Sequence, residues 1–443
     1  MSKPTPISGF PEWLPPQRMI EQYVIERIRR TFELYGFAPL ETRAVEPLDQ
    51  LLRKGETSKE VYVLRRLQAA EGDIDEDTLG LHFDLTVPFA RFVLENAGKL
   101  HFPFRRYQIQ KVWRGERPQE GRYREFLQAD IDVVDRDTLP FHYEAEMPLV
   151  LGDALGGLPI PPVLVHVNNR KVCEGFYRGL GLTDPEAALR AVDKLDKIGP
   201  EKVAELLAET AGASDAQAKA CLRLAEISAP DASFADQVRA LGVSHPLLDE
   251  GLEELVRVVE VAAEHAPGLC VADLKIARGL DYYTGTVYEA TLSGFERFGS
   301  VCAGGRYDNL ASAGNDRFPG VGISIGVTRI LGLLFGAGAL TVSRSVPTSV
   351  LVALPAEERR RDCDRIAAAL RGRGIATEVA PSAAKYGKQI RFAERRGIPF
   401  VWFPGGDGEA DTVKDIRSGD QVEADSTAWT PPAGDLRPAI AGA

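Results

Sequence analysis

Residues 107–132 read Y-Q-I-Q-K-V-W-R, then G-E-R-P-Q-E-G, then R-Y-R-E-F-L-Q-A-D-I-D. The first and third blocks have the length and composition of strands. The middle block carries glycine at both ends and a proline inside, which is typical of a loop. The stretch therefore predicts a long antiparallel hairpin, and with it an antiparallel sheet.

The returning strand of this hairpin carries an unusual face. Alternation along a strand places on one side Arg122, Arg124, Phe126, Gln128, Asp130 and Asp132. Guanidinium groups suit polyphosphates because their planar fork binds two oxygens at once and is always charged. An aromatic ring on the same face can stack on a base. The face predicts a binding floor, and the alternative is a solvated face with a ladder of ion pairs.

The segments before the hairpin predict a helix and a polar turn. Residues 17–35 show a helical apolar period, Gly36 is a helix-ending signal, and Pro39 suits a sheet edge. In residues 82–88, Asp84 and Thr86 are two apart, so in a strand they share a face able to hold an ammonium group. The alternative, which the pattern alone favours, is that Asp84 caps the helix that follows.

Residues 278–289 read R-G-L-D-Y-Y-T-G-T-V-Y-E. Alternation begins only after Thr284, which predicts a strand leaving a turn. The preceding polar residues indicate either a site or a solvated loop. Downstream, residues 301–310 are glycine-rich, and Arg306 is a candidate anion ligand. Residues 320–329 predict a strand that enters a helix at Arg329, a suitable anion site.

The remaining segments indicate further domains. Residues 183–264 are rich in Ala, Leu, Glu and Lys with helical periodicity, which predicts a helical insertion. Residues 336–347 predict a linker, and the alternating strands and helices of 349–403 predict a small α/β domain. The Pro-, Ala- and Gly-rich tail after Thr427 predicts disorder.

Composition limits the functional classes. The 443 residues are 44% hydrophobic and 26% charged, as in soluble globular proteins of several domains. No apolar run suits a membrane span, no signal peptide is recognisable, and the five scattered cysteines predict a reduced, cytoplasmic environment. The six histidines show no metal-ligand spacing. A net charge of −11 argues against indiscriminate nucleic-acid binding, but a basic cluster lies at 385–396.

Five motifs together resemble the class II aminoacyl-tRNA synthetases, and within them the histidyl-tRNA synthetase family. The helix with Gly36 and Pro39 resembles motif 1. W-R-G-E at 113–116 with Arg122 and Phe126 resembles motif 2, and 320–329 resembles motif 3. R-G-L-D-Y-Y at 278–283 and A-G-G-R-Y-D at 303–308 resemble the two histidine-specific signatures. D-L-T-V-P-F-A-R at 84–91 resembles the version of eukaryotic and some bacterial members.

The resemblance implies residue roles. Arg114 and Arg278 would flank the α-phosphate as catalytic cations, with Arg278 replacing a metal ion used by other class II enzymes. Histidine would contact Asp84, Thr86, Arg114, Gln128, Asp132, Arg278, Tyr282 and Tyr283. ATP would contact Arg114, Glu116, Arg122, Phe126 and Arg329. The tRNA would contact Lys385, Lys388, Arg391 and Arg395. No metal would be held by side chains alone, and Mg²⁺ would arrive with ATP as substrate.

The resemblance also implies an architecture and partners. The fold would be α+β, a class II synthetase-type antiparallel sheet flanked by helices, with a helical insertion and a C-terminal α/β anticodon-binding domain. The catalytic domain would comprise 1–183 and 265–336, the insertion 184–264, the linker 337–347, and the anticodon-binding domain with its loose tail 348–443. The partners would be L-histidine, ATP, tRNA(His) and a second copy of the chain through motif 1, with no membrane.

Two departures from the family pattern and two rival functions stand beside this interpretation. Thr328 replaces the usual Glu before the motif 3 arginine, which leaves the support of Arg329 open, and Trp113 replaces Phe or Tyr. The rivals are a histidine-binding regulatory paralogue and an amino-acid-activating ligase of small-molecule biosynthesis. Neither needs a C-terminal RNA-binding domain, and paralogues typically lose signature residues that this chain keeps.

Overall fold

A computed structural model describes residues 5–52, 60–66, 78–276, 282–406 and 408–442. The chain forms two compact units. The first comprises residues 1–11 and 24–334, and the second comprises 12–23 and 335–443. The boundary near residue 335 falls at the start of the predicted linker.

The described elements alternate between strands and helices along the first unit. Its strands are β1 Ala38–Pro39, β2 Val45–Pro47, β3 Val63–Leu64, β4 Leu79–Leu81, β5 Phe104–Trp113, β6 Glu125–Val134, β7 Val163–Asn169, β8 Ser228–Ala229, β9 Cys270–Asp273, β10 Thr286–Leu292, β11 Cys302–Tyr307, β12 Ser312–Ala313, β13 Asp316–Arg317 and β14 Gly320–Gly326. The helices from the N-terminus through this unit are α1 Pro15–Leu34, α2 Leu48–Leu51, α3 Thr86–Asn96, α4 His142–Gly156, α5 Arg170–Gly179, α6 Pro185–Val192, α7 Leu195–Ile198, α8 Pro200–Ala211, α9 Asp215–Ala225, α10 Ser233–Arg239, α11 Pro246–His265 and α12 Val327–Gly336.

Nine of these strands form one large sheet in the order β1-β5-β6-β14-β11-β10-β7-β9-β8. The described pairings are antiparallel except β1 with β5 and β7 with β9, which are parallel. The predicted α+β class is confirmed, and the sheet is mixed at its two ends. Short strands form the separate sheets β2-β4-β3 and β12-β13.

The predicted hairpin is the pair β5 and β6, whose ten-residue register runs from Phe104 opposite Val134 to Trp113 opposite Glu125. The prediction that the returning strand begins at Arg122 is wrong, because β6 begins at Glu125. Arg122 instead lies in a tight turn, where its backbone pairs with that of Gln119. Alternation along β6 therefore places the side chains of Phe126, Gln128, Asp130 and Asp132 on one face. Arg122 and Arg124 precede the strand, so alternation does not place them on that face.

Helix α1 buries an apolar stripe on a helical period. Ile20, Val24, Ile28 and Phe32 are almost fully buried, whereas Tyr23, which the same period includes, is 43% exposed. The Phe32 ring lies 6.0 Å from the ring of Tyr107 on β5. After the helix, Gly36 adopts a φ of +77°, a left-handed conformation that favours glycine.

The predicted insertion is helical from α6 to α11, but it is tied to the sheet. Strand β8 pairs with β9 and extends the sheet by one edge strand. Helix α11 packs along α5, α4 and β7. Its apolar face includes the buried Leu252, Leu255 and Val259. The sequence pattern showed the helices but not this edge strand, because two residues carry no readable alternation.

The second unit is a small α/β structure, as predicted. Its strands are β15 Leu340–Val342, β16 Val350–Val352, β17 Thr377–Val379, β18 Phe400–Phe403, β19 Thr412–Asp415, β20 Gln421–Glu423 and β21 Ile440–Gly442, and its helices are α13 Arg360–Gly372 and α14 Tyr386–Arg396. The sheet order is β17-β16-β18-β19-β20. Strands β16, β17 and β18 are parallel, while β19 and β20 are antiparallel additions.

The prediction of a loose C-terminal tail is wrong. Arg373 donates hydrogen bonds to the carbonyl oxygens of Ala428 and Trp429, at 2.8 Å and 2.5 Å. The Trp429 ring packs at 5.7 Å from that of Trp402. Strand β21 then pairs with β15 inside the predicted linker. One aromatic anchor and one arginine therefore order a segment whose composition favours disorder. Of the helices in the described ranges, none combines the length and apolarity needed to cross a bilayer.

Candidate active site

Two adjoining cavities open on the large sheet where β6, β14, β11 and β10 lie side by side. The small one has a volume of about 120 Å³ and the large one about 320 Å³. Residues common to both linings are Arg114, Gln128, Tyr282, Tyr283, Ala303, Gly304 and Ser324. The shared lining makes the two cavities parts of one continuous site.

Asp84 and Thr86 both line the small cavity, but not as the strand face that we considered. Helix α3 begins at Thr86, so the two residues lie in a turn that enters a helix. Asp84 Oδ1 accepts a hydrogen bond from the backbone N–H of Val87 at 3.1 Å. The capping alternative is therefore confirmed, and the capped carboxylate still lines the cavity.

Asp132 also lines the small cavity, and two side chains hold its carboxylate. Its Oδ2 lies 2.5 Å from a guanidinium nitrogen of Arg106, a residue with no exposed surface. Its Oδ1 accepts a hydrogen bond from the Tyr307 hydroxyl at 2.7 Å. Gly322 on β14 lies directly opposite Asp132, and a Cβ there would collide with the carboxylate. Sequence reasoning missed Arg106, although its register opposite Asp132 in the predicted hairpin was a usable signal.

The tyrosine pair of the first signature lines both cavities. The rings of Tyr282 and Tyr283 lie 4.1 Å apart, and burial raises the pKa of Tyr282. The carbonyl oxygen of Tyr283 accepts a hydrogen bond from Arg170 at 3.3 Å, and the N–H of Thr284 donates to the Arg306 carbonyl. Arg278 and the residues up to 281 lie outside the described ranges.

Arg306 is a supporting residue, so the prediction that it binds an anion is wrong. Its Nε donates to Asp308 at 3.0 Å, and one terminal nitrogen donates to the fully buried Glu144 at 2.7 Å. Glu144 also accepts from the backbone N–H and hydroxyl of Thr286, while Asp308 accepts from Thr284. Glu144 and Asp308 thus connect the second signature to Thr284 and Thr286, which directly follow the first signature.

The large cavity is lined by all five residues that the resemblance assigns to ATP: Arg114, Glu116, Arg122, Phe126 and Arg329. Arg114 is held by a 3.0 Å hydrogen bond from its Nε to the carbonyl of Phe83, and its guanidinium carbon lies 5.1 Å from the Phe126 ring centroid. Arg122 and Glu116 are both substantially exposed and 4.0 Å apart, a weak pair that leaves the guanidinium available.

Arg329 is supported in a way that the sequence left open. A terminal guanidinium nitrogen donates a hydrogen bond to the carbonyl oxygen of Phe298. Thr328, which replaces the usual Glu, accepts a hydrogen bond through its hydroxyl oxygen from the N–H of Leu127 at 2.8 Å. Thr328 therefore fixes the start of α12 against β6, and Phe298 orients Arg329.

The chemistry of the two cavities is complementary. The small one presents carboxyl groups and tyrosines and suits a small cationic molecule with a polar ring. The large one presents three arginines beside a phenylalanine ring and suits a polyphosphate with a base. Arg114 stands where the two meet, so a carboxylate in one cavity can be brought against a phosphate in the other.

The predicted basic cluster lies in the second unit. Lys385 precedes α14, and Lys388, Arg391 and Arg395 recur on one face of that helix at helical spacing. All four side chains are exposed. Arg396, by contrast, is paired with Glu378 at 2.9 Å.

Cys302 lines the large cavity but is expected to be unreactive. Burial raises the pKa of its thiol from 9.0 to about 12, which leaves very little thiolate at pH 8. We expect Ellman's reagent to modify the native protein about 30- to 60-fold more slowly than the urea-unfolded protein, since the loss of thiolate outweighs the gain in nucleophilicity. A stopped-flow assay with Cys302→Ala as control measures this rate. A fast native phase that disappears in the variant would contradict it.

Comparisons with known proteins identify the family of the chain. The family model of histidyl-tRNA synthetase matches residues 9–330, and that of the anticodon binding domain matches 349–426. The chain is 60% identical to a histidine–tRNA ligase of Cutibacterium acnes and 59% identical to one of Micrococcus luteus, over the full length of each. A crystal structure of histidyl-tRNA synthetase from Nostoc superposes with a TM-score of 0.84 at 35% identity, over 96% of this chain and 97% of that one.

A more distant structure shares the fold alone. It is titled an ATP phosphoribosyltransferase regulatory subunit/histidyl-tRNA synthetase from Bacillus halodurans, with a TM-score of 0.72 and 18% identity over 88% of this chain and 97% of that one. The fold and the site define an aminoacyl-tRNA synthetase. The chain belongs to the histidyl-tRNA synthetase family, which confirms the resemblance drawn from its motifs.

Proposed function

We propose that this chain joins histidine to its tRNA in two steps within the paired cavities. The chain is an ATP-dependent ligase, a histidine–tRNA ligase. L-histidine and ATP form histidyl-adenylate and pyrophosphate, and the histidyl group then passes to the 3′ end of the tRNA. The observation that carries this proposal is the continuity of the two cavities through Arg114, Gln128 and the tyrosine pair.

The small cavity is the proposed histidine site. Asp84, Thr86 and Gln128 receive the α-ammonium group at one end. Asp132 and Tyr283 hold the imidazole at the other, and Tyr282 lines the pocket between them. The fixed position of Asp132 supports this assignment, because a carboxylate held by Arg106 and Tyr307 presents a defined acceptor to an imidazole N–H.

The large cavity is the proposed ATP site. Phe126 stacks on the adenine, Glu116 accepts from its amino group, and Arg122 and Arg329 bind the outer phosphates. Mg²⁺ is carried on these phosphates as part of the substrate. Within the described ranges, no group of three or more His, Cys, Asp or Glu side chains is placed to hold a metal ion.

The first step depends on charge at the α-phosphate. The histidine carboxylate attacks phosphorus, the bond to the β-phosphate oxygen breaks, and negative charge grows on the α-phosphate. Arg114 stabilises that charge from one side, and Arg278 is assigned to the other by its place in the signature. Fixed cations of this kind lower the barrier because they need no reorganisation during the reaction.

The second step needs no side-chain nucleophile. A ribose hydroxyl of the terminal tRNA adenosine attacks the carbonyl of the mixed anhydride, and AMP leaves. The exposed row Lys385, Lys388, Arg391 and Arg395 is the proposed contact for the tRNA backbone.

We assign the catalytic role to 1–183 and 265–336, the insertion to 184–264, the linker to 337–347 and anticodon binding to 348–443. A homodimer through α1 and a cytoplasmic location complete the proposal.

One assay pair tests this function. We expect histidine to promote exchange of labelled pyrophosphate into ATP, and we expect purified total tRNA to become charged with histidine and not with phenylalanine. Parallel reactions without amino acid measure the background. An absence of histidine-dependent exchange would contradict the proposal, and exchange without charging would favour a biosynthetic ligase.

A further inference from the structure

Asp130 is a buried carboxyl group in the small cavity with no role assigned above. It lies on β6 midway between Gln128 and Asp132, lines the cavity, and is only 3% exposed. Within the part of the chain that the structure describes, its Oδ1 has no hydrogen-bond partner. A buried polar atom without a partner is destabilising, so its occurrence in a residue that lines a cavity indicates a ligand.

A second unpartnered oxygen lies beside it. Gln128 is 9% exposed, its Nε2 donates to the Ser324 hydroxyl at 2.8 Å, and its Oε1 has no partner in the described ranges. Ser324 also hydrogen-bonds to the Asp130 carboxyl. Because Gln128 and Asp130 are two apart on one strand, their side chains project to the same face. Ser324 thus connects two cavity-lining side chains, each of which has one acceptor oxygen without a partner in the described ranges.

The other two carboxylates of the cavity have strong partners. Asp132 is neutralised by Arg106 and bonded to Tyr307, and Asp84 accepts from the backbone N–H of Val87. Asp130 differs from both, because its Oδ1 has no hydrogen-bond partner in the part of the chain that the structure describes. An α-ammonium group has three N–H donors, and Asp130 adds a carboxyl to the Asp84, Thr86 and Gln128 side chains assigned to this group above.

We propose that Asp130 is a further histidine-binding residue, whose carboxylate receives one N–H of the α-ammonium group beside Asp84 and Gln128. This inference rests on the proposed function, since it deepens the assignment of the small cavity. The acceptor set identifies a primary ammonium as the recognised group and separates it from the imidazole, which Asp132 and Tyr283 hold.

A proton is released when this contact forms. The pKa of the Asp130 carboxyl in the free protein is raised from 3.8 to about 7, mainly by burial. Asp132 and Asp84 also raise this pKa, whereas Arg106 and the hydrogen bond from Ser324 lower it. Of these groups, Asp132 lies on β6 and Asp84 in the turn before α3. Arg106 lies on β5 and Ser324 on β14. The ammonium adds a positive charge beside the carboxyl, so binding favours ionised Asp130 and its proton passes to solvent. At pH 7 about half of the free carboxyl is protonated, so about half a proton is released per histidine.

Titration calorimetry of the full chain in two buffers of different ionisation enthalpy tests the proposal. The ligands are L-histidine and 3-(imidazol-4-yl)propanoate, which lacks only the α-ammonium group. We expect Asp130→Asn to release about half a proton less than the unmodified chain with histidine at pH 7. The propanoate should show no difference between the two proteins. Asp137→Asn, which removes an exposed carboxylate just beyond β6, is the matched control and should behave as the unmodified chain.

The pH dependence provides a measurement on the unmodified chain alone. Histidine binds preferentially to ionised Asp130, so its affinity relative to the propanoate, corrected for ligand ionisation, should rise about tenfold between pH 6 and pH 8. The imidazole pKa is lower in histidine than in the propanoate, because the α-ammonium charge lies close to the ring. Each affinity is therefore corrected for the ionisation of its own free ligand before the ratio is taken. The ratio remains decisive if Asp130→Asn fails to fold.

Three results would overturn the inference. The first is equal proton release from the unmodified chain and Asp130→Asn, and the second is an affinity ratio that stays constant between pH 6 and pH 8. In either case histidine still binds and supports pyrophosphate exchange, so the proposed function stands and only Asp130 loses its role. The third is an unmodified chain that binds no histidine, which would overturn the proposed function together with this inference.

Discussion

Arg114→Ala is expected to slow histidyl-adenylate formation by about 10³-fold. A fixed cation or donor at a developing oxyanion is typically worth 10²–10³ in rate, and arginines at phosphoryl centres reach 10³–10⁵. Arg114 lines both cavities and is held by Phe83 and Phe126, so its charge is oriented before substrate arrives. Arg114→Lys should recover only part of the rate, because a lysine ammonium lacks the planar fork.

Histidine-dependent pyrophosphate exchange at saturating substrates measures this effect. We expect the loss mainly in kcat, with much smaller changes in the KM for histidine and ATP, as for an interaction that strengthens in the transition state. Lys111→Ala is the matched control, since that exposed cation lies on β5 and pairs only with Glu125 among the described residues. Unchanged kcat with a raised KM would show that Arg114 contributes only ground-state binding.

Arg106→Met is expected to lower the free energy of unfolding of the first unit by about 3–5 kcal/mol. The change leaves the Asp132 carboxylate buried without its cation, and breaking a buried pair from one side has a cost of this size. Methionine keeps much of the volume, so a cavity contributes little. The double variant Arg106→Met/Asp132→Asn should recover part of the loss, because it also removes the uncompensated charge.

Urea unfolding followed by tryptophan fluorescence and circular dichroism measures these stabilities. Arg239→Ala removes an exposed arginine paired with Asp236 and should change the free energy by less than about 0.5 kcal/mol. Equal stability of Arg106→Met and this control would contradict the structural role of the pair. We also expect Arg106→Met to weaken histidine binding, since Asp132 would lose the contact that orients it.

Local sequence signals were sufficient for the elements and for most of the site lining. The hairpin 104–134, helix α1 and the strand-to-helix segment at 320–329 all carry periodicities or turn residues that depend on neighbours in the chain. The motif resemblance brought Asp84, Gln128, Asp132, Tyr283 and Arg329 to one site before any fold was known. These residues do line the two cavities. Arg278 stays a prediction from sequence, outside the described residues.

Signals that depend on tertiary neighbours were misread or missed. Arg306 has the composition of an anion ligand, but Glu144, 162 positions away in the chain, takes its charge. The tail after Thr427 has a disordered composition, but Arg373 and Trp402 hold it. In both cases the deciding contact is with a residue that no local window contains.

The sequence by itself determined the order of elements, the family and the identity of the polar groups at the site. Only the tertiary structure decided how those groups are paired. Asp84, Asp130 and Asp132 are chemically alike in the sequence. In the structure Asp84 caps a helix, Asp132 is neutralised by Arg106, and Asp130 has one oxygen without a hydrogen-bond partner among the described residues. The physical reason is that desolvation and nearby cations and donors set the charge state of a buried carboxyl and its capacity to bind a ligand. Strand register and packing decide which of those neighbours lie within a few ångströms.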